Sequence, residues 1–440
     1  MGGKIAFMSP EGEPNQSTAR DRWYNEQLDE TTRAWLQQDA AYFLHQSLST
    51  PCLDVLARCE GSWIEDLQGR RYLDFHGNNV HHAGFANPCV IEAIVAQMRE
   101  LSFCTRRYTN LPAIRLAKKL AELAPGRLKK VLFAPGGTSV VGMALKLARA
   151  ATGRFKTISL WDSFHGASLD AISVGGEEIF RRGMEPLLPG ALHVPPPDPA
   201  QCPWECAGEC SGRCASYVEY VMRREGDVGA VLVETVRSTS LIPPQHYLES
   251  LRKACDRHGA LLIFDEIPHA LGRTGRMFTC ENFGVTPDML LVGKALGGGI
   301  FPLAALIARE DLDIAGDGAL GHYTHEKNPV ACAAALATIG YIEEQRLAER
   351  ACEMGEYALQ RLHAMAARHA SIRAVRGLGL LLGVEVDNPI LAERVMYRSL
   401  ADGLSFKVTM GRVLTLTPPL TVSREEMDLA LDIVDRALGA

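Results

Sequence analysis

The sequence has no uninterrupted apolar stretch long enough to cross a bilayer, so a protein built on spanning helices is excluded. It has no surplus of positive charge: 46 Lys and Arg stand against 52 Asp and Glu, for a net −6, which leaves no basic stripe for nucleic acid. No internal repeat or low-complexity tract interrupts it. The first residues include Lys4 but no apolar core leading to a small-residue cleavage site, so no signal peptide is expected and the cytoplasm is the default location. What is present is length and apolar content. At 440 residues and 47% hydrophobic, the chain can bury one large α/β domain and a smaller one beside it.

Cysteine is not scarce. Twelve are scattered along a chain expected to sit in the cytosol, which favours reduced thiols over a disulfide framework. Four of them, Cys202, Cys206, Cys210 and Cys214, recur every four residues. That spacing could hold zinc or an iron–sulfur centre. Pro203, Gly208 and Gly212 make the segment a loop, and the expectation is a reduced-thiol loop with no metal.

A polar helical pattern over 21–38 precedes a hairpin signal with Trp63 and Ile64, a turn at Gln68-Gly69, and Tyr72 to Phe75. Amphipathic helices are expected over 88–101 and 112–123. From 131 to 307, short β runs (VLFA, TISL, AVLVE, ALLIFDE, MLLVGK, PLAALIA) alternate with helical or loop segments. Such alternation marks a mostly parallel sheet covered by helices. The tail from 329 is helix-rich with β-like runs near 380–386 and 413–416. The expected domains are therefore 1–75, joining a small domain; 76–328, a large one; and 329–440, the rest of the small α+β domain.

Two of the apolar runs end in reactive side chains. Asp265 closes ALLIF and Lys294 follows MLLV. A carboxylate and an amine at neighbouring strand ends are what pyridoxal 5′-phosphate (PLP) requires: the amine condenses with its aldehyde, and the carboxylate keeps the pyridine nitrogen protonated. After VLFA comes Pro135-Gly136-Gly137-Thr138-Ser139 and a helix over 140–150. Glycines, a helix N-terminus and the Thr138 hydroxyl suit a phosphate, although an ordinary βα turn reads the same way. TISL runs into Trp161-Asp162-Ser163-Phe164-His165-Gly166. An aromatic there can stack on a flat ring with a polar neighbour to orient it; core packing for Phe164 and a turn role for His165 are the alternatives.

In order and distance, from about 72 to 420, these pieces resemble the class III (ω) aminotransferase family of fold type I PLP enzymes. The most specific elements are Asp265-Glu266-Ile267 continuing to Gly272-Arg273-Thr274-Gly275, and Gly293-Lys294-Ala295-Leu296-Gly297-Gly298-Gly299. The resemblance implies a seven-stranded, mostly parallel sheet. It implies Lys294 as the cofactor-bearing lysine, Asp265 at the pyridinium nitrogen, Ile267 and Phe164 on the two ring faces, Gly137 and Thr138 at the phosphate, and His165 and Glu234 among the cofactor contacts. Tyr323-Thr324-His325-Glu326 resembles the stretch whose threonine reaches the neighbouring subunit's phosphate, so Thr324 is expected to act in trans within a homodimer or a higher homo-oligomer.

Departures from the family carry the functional reading. Val140 replaces the glutamate of the usual phosphate loop, Thr235 replaces the proline after Glu234, and Pro268 stands where glutamine is common. Family transaminases that use 2-oxoglutarate carry an arginine shortly before Pro-Pro-Leu; here Thr415 precedes Pro418-Pro419-Leu420. Threonine cannot make arginine's bidentate grip on a carboxylate, at a cost of roughly two orders of magnitude in binding, unless Arg412 or Lys407 compensates. Asn78-Asn79-Val80-His81-His82-Ala83-Gly84 and Arg107-Tyr108 resemble segments of the family's phospholyases, with Asn79 and Arg107 as implied substrate contacts. For Arg106 and Arg107 a solvated basic turn is the alternative. The implied activity is an ammonia-lyase acting on a small hydroxy-amino-phosphonate to give phosphonoacetaldehyde, with Lys294 moving the proton. The alternative is an ω-aminotransferase that passes the amino group to a keto acid or aldehyde; a non-catalytic PLP-binding protein is the remote third.

Overall fold

Capping side chains, more than apolar periodicity, decide where the first helices begin. The computed structural model describes residues 17–47, 49–199, 202–206 and 210–439; Lys4, with the N-terminal reading attached to it, and Gly208 lie outside the described residues. Ser17 accepts a hydrogen bond from the Arg20 N–H and starts α1 (Thr18–Gln27), and Asp29 accepts one from the Thr32 N–H and starts α2 (Glu30–Tyr42). The single helix expected over 21–38 is therefore two, because Leu28 turns extended (φ −96°, ψ 138°) and Asp29 restarts the ladder. Strands β1 (Leu56–Glu60), β2 (Trp63–Asp66) and β3 (Arg71–Asp74) follow as an antiparallel meander. The hairpin read from Gln68-Gly69 is present, with Gly69 at φ 79° in the turn.

By internal contacts the chain forms two compact units: the described residues of Met1–Asn87 with Ser238–Ser240 and Arg350–Ala440, and Pro88–Arg237 with Leu241–Glu349. The second unit opens with α3 (Pro88–Glu100), α4 (Leu111–Leu123), β4 (Leu128–Ala134), α5 (Gly137–Thr152) and β5 (Lys156–Leu160). It continues with α6 (Leu169–Val174), α7 (Glu178–Arg181), β6 (Ala191–Val194), α8 (Arg213–Glu225), β7 (Val228–Glu234), α9 (Gln245–His258), β8 (Leu261–Asp265), β9 (Met289–Val292), β10 (Ala304–Arg309) and α10 (Pro329–Glu344). The seven strands lie in the order β4-β10-β9-β8-β7-β5-β6. Only β10 runs antiparallel to its neighbours, so the sheet is mostly parallel, as expected.

Strands β7, β8 and β9 are buried along their whole length, the condition of a parallel sheet covered on both faces. Val140, Val141, Ala144 and Leu147 of α5 pack against Leu232, Ile263, Leu291 and Leu306 on one such face. Each of those large side chains contributes about 1.5–3 kcal/mol by leaving water, enough in sum to hold the strand ends in fixed register.

The first unit is completed, from Arg350 onward, by α11 (Leu347–Ala366), β11 (Ile372–Leu378), β12 (Leu381–Val386), α12 (Pro389–Ala401), β13 (Leu404–Ser405), β14 (Lys407–Thr409), β15 (Val413–Leu416) and α13 (Arg424–Gly439). Strands β11-β12-β15-β14 form an antiparallel sheet, and β13 adds in parallel to β3. Among the described residues, no helix is long and apolar enough to cross a membrane.

Candidate active site

Three parallel strands end level with one another. Glu234 on β7 pairs with Asp265 on β8, and Asp265 pairs with Leu291 on β9. Lys294 leaves β9 through Gly293 and begins a 3-10 turn, Lys294–Gly297. Its φ of 44° lies in the left-handed region, which costs an L-residue about 1–2 kcal/mol. Strain of this kind persists where the surroundings over-determine the backbone, commonly at functional sites.

Asp265 is only 2% exposed. Its Oδ2 accepts a 2.7 Å hydrogen bond from His165 Nδ1, and its Oδ1 accepts the Ile267 N–H at 3.1 Å. With the proton on Nδ1, the His165 Nε2 is the acceptor for the Ser159 hydroxyl 3.4 Å away. The next residue, Gly166, holds φ 121°, and a Cβ there would meet Thr138 Oγ1 at 2.0 Å. Glycine is thus what lets the His165 loop close onto the first turn of α5. Thr138 Oγ1 in turn accepts the Ala167 N–H at 3.3 Å.

The N-terminus of α5 faces open space at one point and packing at another. Gly136 caps the helix without a side-chain bond, and a Cβ on it would meet nothing within 4 Å. A Cβ on Gly137 would come 2.9 Å from Ile267 Cδ1, and one on Gly293 would come 3.2 Å from Ile267 Cγ2. Ile267 therefore lies between the helix start and the segment that carries Lys294. Phe164 is half-buried, its ring 4.8 Å from that of Phe180. Thr138, His165, Asp265, Ile267, Gly137 and Lys294, far apart in sequence, form one continuous set of neighbours.

Three groups in this unit were not singled out by sequence. Arg237 is buried, donates to Glu234 Oε2 at 3.2 Å and to the Asp162 carbonyl, and lies 4.0 Å from Glu177. Its position three residues beyond Glu234 was the available signal. His269 is 1% exposed, and burial together with the positive charges of Lys294 and Arg273 holds its pKa well below the usual imidazole range. A neutral imidazole thus stands within the field of Lys294. Glu266 points away from Asp265 and accepts from the Thr235 hydroxyl and the Thr279 and Cys280 N–H groups. Burial nonetheless pushes its pKa up to about 7.

The remaining expected residues are carried by other segments of the chain. Asn79 belongs to the first unit, buried at φ 58° in the turn Gly77–Asn79. Arg107 is exposed and has no ion-pair partner among the described residues, whereas Arg106 pairs with Glu326 at 3.3 Å. Thr324 is exposed. In the first unit, Thr415 is 3% exposed, with its hydroxyl 2.8 Å from that of Thr409. Arg412 pairs with Glu385 at 2.9 Å, a carboxylate that also holds Arg376 at 2.7 Å.

The donor set fits PLP group by group. The lysine amine matches the aldehyde, the buried imidazole-bound carboxylate matches the ring nitrogen, and the N–H groups of a helix N-terminus beside an open Gly136 match the phosphate. Fold and site together define a PLP-dependent α/β enzyme.

Comparison with known proteins narrows the class. The family description "Aminotransferase class-III" matches residues 45–438, and the chain belongs to that family. It is 44% identical, over 99% of its own length and 96% of the other's, to an (R)-1-hydroxy-2-aminoethylphosphonate ammonia-lyase of Vibrio splendidus (strain 12B01). Among solved structures it is similar to a Bacillus anthracis aminotransferase (TM-score 0.87, 29% identity, 94% of this chain and 99% of that one). An amine transaminase from an uncultivated Pseudomonas species, solved with PLP bound, aligns at TM-score 0.85 and 30% identity over 90% of this chain and 98% of that one. PLP is accordingly the cofactor of this enzyme.

Proposed function

We propose that the protein is an ammonia-lyase of phosphonate catabolism that converts (R)-1-hydroxy-2-aminoethylphosphonate to phosphonoacetaldehyde and ammonia. The observation that carries this reading is the 44% identity, across 99% of the chain, to a protein of that activity. The chain's own residues support it. Where a 2-oxoglutarate-using relative would carry its arginine, Thr415 is buried against the Thr409 hydroxyl, and nearby Arg412 is committed to Glu385. A keto-acid acceptor finds no charge-assisted grip there.

PLP, when bound, supplies the electron sink that allows the C–H bond beside the substrate nitrogen to ionise. Asp265, fixed by His165 and the Ile267 N–H, keeps a proton on the ring nitrogen. With PLP bound, Ile267 and Phe164 would flank the ring, Gly137 and Thr138 would hold the phosphate, and Glu234, fixed by Arg237, would complete the cofactor surroundings. Lys294 Nζ removes the proton from the carbon bearing nitrogen. Hydroxide departs from the adjacent, phosphonate-bearing carbon with a proton from Lys294, and a water later releases the nitrogen as ammonia. The water lost is regained, so substrate equals aldehyde plus ammonia. Asn79 and Arg107 contact the substrate, each assigned by its own segment's resemblance.

Thr324 is proposed to serve the cofactor phosphate of a second copy of the chain. Exposed apolar side chains on α3 and α4, Ile91, Val95, Met98, Leu111 and Ile114, are suited to cover a partner. Light scattering on the purified protein should return a dimer or a multiple of it.

The decisive assay supplies the hydroxy-aminophosphonate without any keto acid. Ammonia and aldehyde should appear in equal amounts. If ammonia is absent until a keto acid is added, the protein is an ω-aminotransferase and the lyase reading is lost.

A further inference from the structure

The segment leading into α8 carries chemistry that the reaction does not use. Cys202, Cys206, Cys210 and Cys214 line one cavity together with residues 196–199, and all four are free thiols. Cys206 Sγ also lies 3.1 Å from the Ser211 hydroxyl, just ahead of α8. Each successive pair of cysteines is separated by three residues, inside the two-to-four spacing of structural zinc sites.

A second observation points into the same place. Tyr247 on α9 is 1% exposed, and its hydroxyl has no hydrogen-bond partner. Burial holds its phenol pKa well above the usual range, and the charged forms of Cys214 and Cys210 add to the rise. A buried phenol without an acceptor is costly, by about 1–3 kcal/mol, and a thiolate sulfur would supply the acceptor. Burial pushes the Cys214 thiol up to about 12, and the backbone N–H groups at the start of α8 work against that rise. Gly212 caps that 13-residue helix without a side-chain bond, leaving the N-terminal dipole to act on Cys214, its second residue, and Arg213 adds positive charge.

We propose that Cys202, Cys206, Cys210 and Cys214 bind one zinc ion as a structural tetrathiolate site, with Tyr247 donating to one of the sulfurs. Among the described residues, no three His, Cys, Asp or Glu side chains already stand as a coordination shell. The site is therefore one that the ion assembles from four thiols already lining one cavity, displacing their protons, as metal-coupled ordering does elsewhere. Its role is to fix the connection between β6 and α8. The assignment does not depend on which reaction the PLP site performs.

The test uses the full-length, PLP-loaded protein. Elemental analysis should find about one zinc per chain, and cobalt added after chelation should give the thiolate charge-transfer absorption of a tetrahedral sulfur site. Cys206→Ser should retain at least about tenfold less zinc with unchanged PLP content, while Cys352→Ser, at an exposed cysteine elsewhere, keeps the full amount. The cobalt spectrum decides the matter even if Cys206→Ser does not fold. No zinc uptake by the wild type, equal zinc in wild type and Cys206→Ser, iron in place of zinc, or disulfides among the four thiols would each overturn the proposal.

Discussion

His165 Nδ1 and Asp265 Oδ2 stand 2.7 Å apart, both buried, at the ends of segments separated by 100 residues. The bond fixes the imidazole tautomer and leaves the carboxylate one orientation. A hydrogen bond to a charged group contributes about 1.5–3 kcal/mol, or roughly 10–100-fold in rate when it holds a charge that the reaction uses. His165→Gln should lower kcat by that factor and shift the pH profile of the bound cofactor's absorption band, with PLP still retained. An unchanged kcat and an unchanged profile would remove His165 from the site.

Lys294 is the proposed proton carrier, and positioned acid–base groups contribute about 10²–10⁴-fold. Lys294→Ala should reduce ammonia release by about 10³-fold or more. Borohydride treatment of the PLP-loaded wild type should label the peptide containing position 294, and the variant should carry no label. Release within tenfold of wild type in Lys294→Ala would show that another base operates.

Asp265 and Lys294 were legible in the sequence because each terminates an apolar run long enough to be a buried strand, and the order of such runs gave the parallel sheet. Strand β6 was not: Ala191–Val194 is half-exposed over three of its four residues and too short to show a pattern. The helix start at Asp29 was hidden because one capping bond outweighed a continuous polar pattern. The roles of Asp265 and Glu266 also separate only in three dimensions. Successive side chains at a strand end point to opposite faces, so one carboxylate meets His165 and the other meets Thr235, Thr279 and Cys280. Arg237 and His269 matter through partners that a linear pattern does not reveal.

Gly166 is where the His165 loop touches Thr138. Its φ of 121° is a conformation that L side chains rarely adopt, and an added methyl would sit 2.0 Å from Thr138 Oγ1. Gly166→Ala must therefore move Thr138 or the loop. On the proposed assignment of Thr138, PLP affinity should fall by about tenfold or more, the worth of one charge-assisted hydrogen bond. Equilibrium titration of cofactor-free protein with PLP measures this directly. An unaltered dissociation constant would separate Thr138 from the phosphate.

Glu266 gives the fold a pH dependence whose sign can be worked out. Its pKa rises from an ordinary 4.5 to about 7 because burial outweighs the three hydrogen bonds it accepts. Below about pH 4.5, folded and unfolded chains both carry the proton, and the group is neutral in its effect. Between about 4.5 and about 7 the unfolded chain releases the proton while the folded chain keeps it, so stability falls as pH rises and then levels off. The full change is about 3 kcal/mol. Glu266→Gln cannot titrate, and its altered hydrogen bonding adds only a constant offset. Comparing urea denaturation of wild type and variant from about pH 5 to about pH 8, the variant should gain on the wild type by up to about 3 kcal/mol as pH rises. Two curves that stay parallel over that range would mean that Glu266 is ionised in the folded protein throughout.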